Sequence, residues 1–336
     1  MTSRERVQAV FRNEPVDRVP LNVFAGWNPG IREQVRRKYG SVDAFCDTFG
    51  IDIATGVLPR FPFGVPPSDG SRSLDDYLAM EPLDPIVDDV LNAGCDPELN
   101  LFETVRDALE AHDEGKAVFV HAWGVFELSQ FLFEKNGMPG TTDALMNMIA
   151  EQEKSREMYL KLAEWSAECV GLAAKAGADV IELSDDWGQQ NTMLFSPRHW
   201  ADLIMPATKL IVDAARRYDV PVLLHSDGDI TLVLDRLRDL GLSGLHPVQE
   251  SAGMTFDGSK AILGNDFVIM GGLDTVTALP VMNADAVRDE VRRVFGILKP
   301  LGPFIFSGSH MLQDDAPLDV VEAAYETARE LAPYDG

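Results

Sequence analysis

The sequence predicts an α/β fold, specifically a (β/α)8 TIM barrel, and three observations predict it. Eight short apolar runs recur along the 336 residues. Amphipathic helical patterns separate them. Polar residues able to do chemistry follow the C-terminal ends of the runs. Apolar runs bounded by turn residues are what a parallel sheet buried on both faces requires. Alternation of strand and helix with right-handed crossovers leaves an open doubly wound sheet or a closed barrel. A count of eight favours the barrel. No GxGxxG follows the first run, which argues against a dinucleotide-binding sheet.

The runs are residues 19–24 (VPLNVF), 51–57 (IDIATGV), 117–121 (AVFVH), 179–183 (DVIEL), 220–224 (VPVLL), 242–245 (LSGL), 267–270 (FVIM) and 303–306 (PFIF). Thr142 or Asp143 is expected to cap a helix that opens ALMNMIAEQ, and a long amphipathic stretch after it stops at Gly177. Ser196-Pro197 is a start signal, a serine cap followed by proline in the first turn, for a helix reaching about Tyr218. Residues 232–240, 284–298 and 318–331 supply the last helices, the final one opening at Asp315 or Pro317. Residues 59–116, rich in proline and acidic groups, break the rhythm and read as an insertion between the second and third strands near the barrel mouth. The rest reads as one barrel domain over residues 1–336.

A formal net charge of −25 repels phosphate backbones and anionic membranes, so nucleic acid is not an expected partner. Three cysteines, Cys46, Cys95 and Cys169, are too few and too scattered for a disulfide scaffold and point to a reducing compartment. The opening MTSRERVQAVFRNEPVDRVP is charged and has no apolar signal core, and no long apolar run suggests a membrane span. The expected location is cytoplasmic, and a homodimer is an open expectation.

Residues just past barrel strands converge on one pocket. Four of the six histidines fall there: His121, His225, His246 and His310. In LLHSDGD an apolar run empties into His225 and Asp227, whose i, i+2 spacing puts both side chains on one face of an extended chain. With His310 they would make a three-ligand site with an open position, as catalytic zinc prefers. The alternative is a His–Asp pair that orients a neutral imidazole without metal. In SDDWGQ two adjacent carboxylates must point apart, one into the pocket and one to a turn or a basic partner. Asp186 is taken as the pocket residue, with Asp185 as the alternative; either could act as acid or base if burial raises its pKa. Trp27, Trp123 and Trp187 are candidates to stack on a flat substrate. Asn28, His246 and Gln249 complete the candidate binding residues.

With these residues in place, the chain resembles the uroporphyrinogen decarboxylase superfamily. The resemblance spans nearly the whole length and rests on RERVQAVFRNEPVDRVP, ADVIELSDDWGQQ, SPRHWADLIMPATKLIVDAARRYDVPVLLHSDGDI, GLSGLHPVQESAGM, IMGGLDTVTALP and IFSGSHMLQDDAPLDVVEAAYE. It implies the same barrel. Decarboxylases of that superfamily carry an N-terminal motif similar to RQAGRY, with an arginine for the acidic tetrapyrrole. The corresponding stretch here, NVFAGWNPG, has none. The corrinoid-linked methyltransferase branch is the better match. Its zinc site resembles HxCG plus a later cysteine, and those positions fall on His225, Asp227 and His310 here, so both thiolates are replaced.

A nitrogen and oxygen donor set favours an oxygen ligand over a thiol. The resemblance therefore implies an O-demethylating methyltransferase, zinc-assisted, that passes the methyl group of a methoxylated, aromatic small molecule to a corrinoid on a partner protein. His225, Asp227 and His310 would hold zinc. Asp185 or Asp186, with Gln249, would orient substrate or move protons. The competing expectations are a metal-free decarboxylase or lyase acting on a small carboxylate, and a barrel that binds a ligand without turnover.

Overall fold

The computed structural model describes residues 1–24, 26–86 and 105–334. Seven parallel strands form one curled sheet in the order β1 (Ile53–Val57), β2 (Ala117–Trp123), β3 (Val180–Ser184), β6 (Val222–His225), β7 (Gly244–His246), β8 (Val268–Leu273) and β9 (Phe304–Gly308). Two short strands, β4 (Gly188–Gln189) and β5 (Thr192–Met193), pair antiparallel just past β3. Strands of the main sheet are buried nearly throughout, as their apolar sequences require. Inside the curl, Ile53, Phe119, Val180, Leu223, Val268 and Ile305 pack on Val7 and Val10 of the helix Ser3–Phe11, which plugs the N-terminal end. A larger apolar layer lies between the outer face and the surrounding helices.

Seven of the eight expected runs are strands. The first is not. Among residues 19–24, Leu21 makes a single parallel bridge to Phe306. Asn22 N–H donates to Phe306 O at 2.9 Å, Phe306 N–H donates to Pro20 O at 3.0 Å, and Asp52 N–H donates to Leu21 O at 2.9 Å. This segment thus contacts β9 on one side and the entry to β1 on the other. Pro20 has no N–H, and the Leu21 N–H donates to the Asp52 carboxylate at 2.8 Å instead of to a neighbouring strand. Both facts interrupt the ladder.

Helix boundaries differ from expectation in one instructive place. The helix Thr141–Ala150 is N-capped by Gly140, so neither Thr142 nor Asp143 caps it, and a break at Glu151 separates it from Gln152–Ala176. Ser196 does cap, accepting from His199 N–H, and Pro317 is the N-cap of Leu318–Leu331. Of the 59–116 stretch, residues 87–104, with Cys95, lie outside the described residues. The remainder packs on its surroundings through Tyr77 Oη donating to Leu132 O at 2.6 Å and Trp165 Nε1 donating to Leu83 O at 2.9 Å. Among the described residues, no helix is long and apolar enough to cross a membrane.

The N-terminal end of the sheet is fastened by Asp52, whose side chain is fully buried. It accepts from Ser3 Oγ (2.6 Å), Arg6 Nη1 (2.7 Å), Arg18 Nη1 and Nη2 (2.8 and 2.7 Å) and Leu21 N–H (2.8 Å). Removing one partner of a buried ion pair strands the other charge. Asp52→Ala is therefore expected to cost about 3–5 kcal/mol. The measurement is the urea midpoint at unchanged m-value; a loss below about 1 kcal/mol would contradict the anchoring role.

Candidate functional site

The parallel register places two side-chain pairs at the C-terminal end of the sheet. His121 on β2 stands beside Glu182 on β3, and His225, the last residue of β6, stands beside His246, the last of β7. His121 Nδ1 is 2.9 Å from Glu182 Oε1, and His225 Nδ1 is 2.8 Å from His246 Nδ1. The Phe24 ring stacks on both members of the second pair, with centroid distances of 4.5 Å to His225 and 4.1 Å to His246. His121 and His310 lie 6.1 and 6.2 Å from the same ring. All four histidines expected at the strand ends thus surround one phenylalanine.

The two aspartates after β3 divide their tasks. Asp185 is fully buried and points at the helix Val125–Leu132, where its Oδ1 accepts from Phe126 N–H and Glu127 N–H at 2.9 Å each. Its Oδ2 accepts from Trp187 Nε1 at 2.8 Å. Gly124 makes this possible, since a Cβ there would lie 2.3 Å from Asp185 Cβ and Cγ. Asp186 turns instead toward β6 and the loop after it. Its Oδ1 accepts from Asp227 N–H at 2.8 Å and lies 3.8 Å from His225 Nε2. Gly188 lets the β4–β5 hairpin abut the loop that carries Asp227; a Cβ there would lie 2.4 Å from Asp227 O. Gln249 Oε1 steadies that loop by accepting from Gly228 N–H at 2.8 Å.

One ligand atom from each of Asp186, His225 and Asp227 can be chosen so that all lie within 4.8 Å of one another. Of the expected set of His225, Asp227 and His310, the first two join this group. His310 stands next to it, with Nε2 4.0 Å from Asp227 Oδ2. Asp186 takes the third place. Asn28, bonded to Gln313 at 2.7 Å, lines with Asp227, His310, Asp314 and Asp315 a cavity of about 550 Å³ opening from this cluster.

Trp123 is half-buried, edge-on to His121 at 4.7 Å, and tied to Leu58 O at 2.7 Å. Trp27 and Trp187, expected to meet substrate, are fully buried: Trp27 packs on Phe45 at 4.9 Å and Trp187 on Trp200 at 5.4 Å. They support the pocket from behind. His246 is also fully enclosed, with Nε2 2.8 Å from Gly308 O. The sequence reading placed these three in the binding surface because position past a strand does not tell inward from outward.

It also assigned no role to Glu127 and to the His121–Glu182 pair. Among the described residues, Glu127 Oε2 is buried without a hydrogen-bond partner. A carboxylate one turn into a helix whose start is capped by Asp185 was the available signal, and only the fold reveals it.

The electrostatics are dominated by burial. Desolvation, then repulsion from Asp186, pushes the Glu127 carboxyl well above the ordinary range. Desolvation and Asp186 do the same to Asp227. Desolvation raises Asp186 as well, and it raises Asp185 to about 7. Burial pushes His225 well down and His246 down to about 3, so both rings are neutral. Among the described residues, no lysine or arginine pairs with Glu127, Asp185, Asp186 or Asp227. Cys46 and Cys169 are buried in helices away from the cluster, and burial raises both thiols to about 12.

The uroporphyrinogen decarboxylase (URO-D) family model matches residues 42–331. A uroporphyrinogen decarboxylase of Gloeobacter violaceus is 23% identical over 269 residues, covering 78% of this chain and 70% of its own. In three dimensions, a methyltransferase from Methanosarcina mazei superposes with a TM-score of 0.71 at 17% identity, covering 98% of this chain and 99% of its own. A B12-independent methionine synthase from Shewanella sp. W3-18-1 superposes with a TM-score of 0.58 at 12% identity, covering 93% and 98%. At such identities these structures establish a shared fold.

The neutral state of His246 has a measurable consequence. Its folded pKa is depressed, so the unfolded chain binds the extra proton between about pH 3 and the ordinary histidine range near 6.5. Stability that depends on His246 is therefore present above about pH 6.5 and is lost as the pH falls. Relative to His246→Gln, which does not titrate, the wild type should lose about 1.4 kcal/mol per pH unit below about 6. Urea midpoints of the two proteins at pH 7.5 and 5 give the difference; parallel behaviour at both would refute a buried neutral ring.

Proposed function

This chain belongs to the uroporphyrinogen decarboxylase family, and we propose that within it the protein is a methyltransferase. In this reading it transfers the methyl group of a methoxylated, aromatic small molecule to a corrinoid carried by a partner protein. The observation that carries the proposal is the cluster of Asp186, His225 and Asp227. Three donors with an open side and no sulfur suit zinc acting on an oxygen ligand.

The surroundings fit a cation. Among the described residues, several carboxyls crowd a desolvated site without lysine or arginine, and one oxygen of Glu127 has no partner. Such crowding raises pKa values until a positive charge relieves it. His225 Nε2, Asp186 and Asp227 would hold the ion, with His310 beside Asp227. When bound, it supplies Lewis acidity at the ether oxygen, so that the C–O electron pair stays with oxygen as the methyl group leaves for the reduced corrinoid.

The chain's own residues do the rest. Asn28 and Gln313, bonded to each other on the cavity wall, offer hydrogen bonds to the substrate. Trp123 presents a half-buried aromatic surface. Gln249 holds the Asp227 loop in place. Burial and the neighbouring Asp186 hold the Glu127 carboxyl well above its ordinary range, the direction that favours a proton donor over a base. A carboxylate substrate, as the decarboxylase reading requires, would face Asp227, Asp314 and Asp315, with no lysine or arginine among the described residues of the cavity wall. A neutral methyl ether would not.

The fold likeness to a methyltransferase is in keeping with this reading. We further propose that residues 20–22, which bond to Phe306 of β9 and to Asp52 at the entry of β1, complete the sheet into an eight-membered barrel.

Protein purified without chelator should carry about one zinc per chain. His225→Ala and Asp227→Ala should each hold less than about a tenth of that, whereas His310→Ala should weaken binding without abolishing it. Incubated with methoxyarenes and a reduced corrinoid protein, the wild type should release the phenol and the first two variants should not. A wild type that neither contains nor takes up zinc would overturn the reading.

A further inference from the structure

The contact between His246 Nε2 and Gly308 O, at 2.8 Å, has a fixed direction, because a carbonyl oxygen only accepts. His246 therefore bears hydrogen on Nε2. The ring is fully buried under Phe24 and its nitrogens meet Gly308 O and His225, with no carboxylate against them among the described residues, so it carries one N–H and its Nδ1 is bare. That bare nitrogen lies 2.8 Å from His225 Nδ1. A bond between two ring nitrogens needs one hydrogen, and His225 is left to supply it. His225 Nδ1 is thus the donor and His225 Nε2 keeps its lone pair, on the side where Asp186 Oδ1 stands 3.8 Å away.

We propose that His246 is a positioning residue that locks His225 in the Nδ1–H tautomer and so makes His225 Nε2 the nitrogen donor of the cluster. The assignment rests on the metal-site reading above only for what that donor binds. The opposite tautomer would set two lone pairs against each other across 2.8 Å in a site closed to water, since His246 is fully buried. Rotating either ring to escape is blocked by Phe24. It lies within 26° of parallel to both imidazoles, which lie side by side with centroids 5.0 Å apart and planes 29° apart. The relay begins at the last residue of β9, passes through β7 and ends at β6, so strand alignment brings its members together and Phe24 fixes the ring planes.

The arrangement also sets the donor's character. Metal-binding histidines commonly donate their second N–H to a carboxylate or a carbonyl, which makes the ring more basic. A neutral imidazole as acceptor pushes less charge onto His225, so more positive charge remains on an ion bound at Nε2. That is the tuning a Lewis acid acting on an oxygen needs.

The test uses the full chain, free of metal, with 15N-labelled histidine. Ring nitrogen shifts, assigned by comparison with His225→Ala, should show His225 with hydrogen on Nδ1 and a bare Nε2. His246→Gln should preserve this, because its amide can accept from His225 and donate to Gly308. His246→Leu should lose the tautomer preference. Titration with cobalt(II), followed by visible absorption, should give similar affinity for the wild type and His246→Gln, and about 10–100-fold weaker affinity for His246→Leu. Hydrogen on His225 Nε2 in the wild type would overturn the proposal whatever the variants do. The expected tautomer without cobalt binding would uphold the relay and overturn the metal-site reading instead.

Discussion

Glu127, Asp185, Asp186 and Asp227 converge where the parallel strands end, and among the described residues no lysine or arginine pairs with them. Low dielectric makes each charge costly and each like-charge neighbour costlier. The chain meets this constraint by giving every oxygen a specific task where it can. Asp185 spends its oxygens on two helix N–H groups and an indole, and Asp186 takes the Asp227 N–H. What is left over, an unpartnered Glu127 oxygen and the open sides of Asp186 and Asp227, defines the place where a cation or a proton must enter.

The opposite end of the sheet handles charge in the contrary way. Asp52 and Asp179 are more deeply buried than Asp186 and Asp227, yet each is saturated, Asp52 by Arg6 and Arg18 and Asp179 by Arg4, Gln8, His112 and the Val118 N–H. Lys260 is buried against the carbonyls of Phe267 and Pro303, at the entries to β8 and β9. The aspartates there are matched within the chain, and together these groups hold the helix Ser3–Phe11 and the strand entries in place. Those at the other end are not matched. The asymmetry separates a stabilising pole from a chemical one, and it agrees with the rule that barrel-like parallel sheets work at their C-terminal ends.

Seven strands and the polar clusters at their ends were legible in the sequence because both follow from local composition. LLHSDGD placed His225 and Asp227 on one side of the pocket, and they share a cluster. What local pattern could not reveal was register. That His225 would face His246, or His121 face Glu182, depends on how strands align, and a shift of one residue would undo both pairs. The choice between Asp185 and Asp186 likewise turned on a contact from another segment, the helix start after Gly124. The first run failed as a strand for one reason the sequence carries, the missing N–H of Pro20, and one visible only in three dimensions, the capture of the Leu21 N–H by the Asp52 carboxylate.

That same capture links the two poles. Asp52 holds Leu21, Leu21 and its neighbours join β9 to the entry of β1, and three residues on, Phe24 lies flat against His225 and His246. Phe24 is also the highest member of the inner apolar cluster that begins with Val7 and Val10 at the plugged end. A continuous packed column therefore runs from the saturated aspartate to the unsaturated site. Close packing transmits displacement because an interior at crystal-like density has no slack to absorb it. The irregular first segment is on this argument the element that both spans the sheet's two edges and fixes the ring plane on which the histidine pair rests.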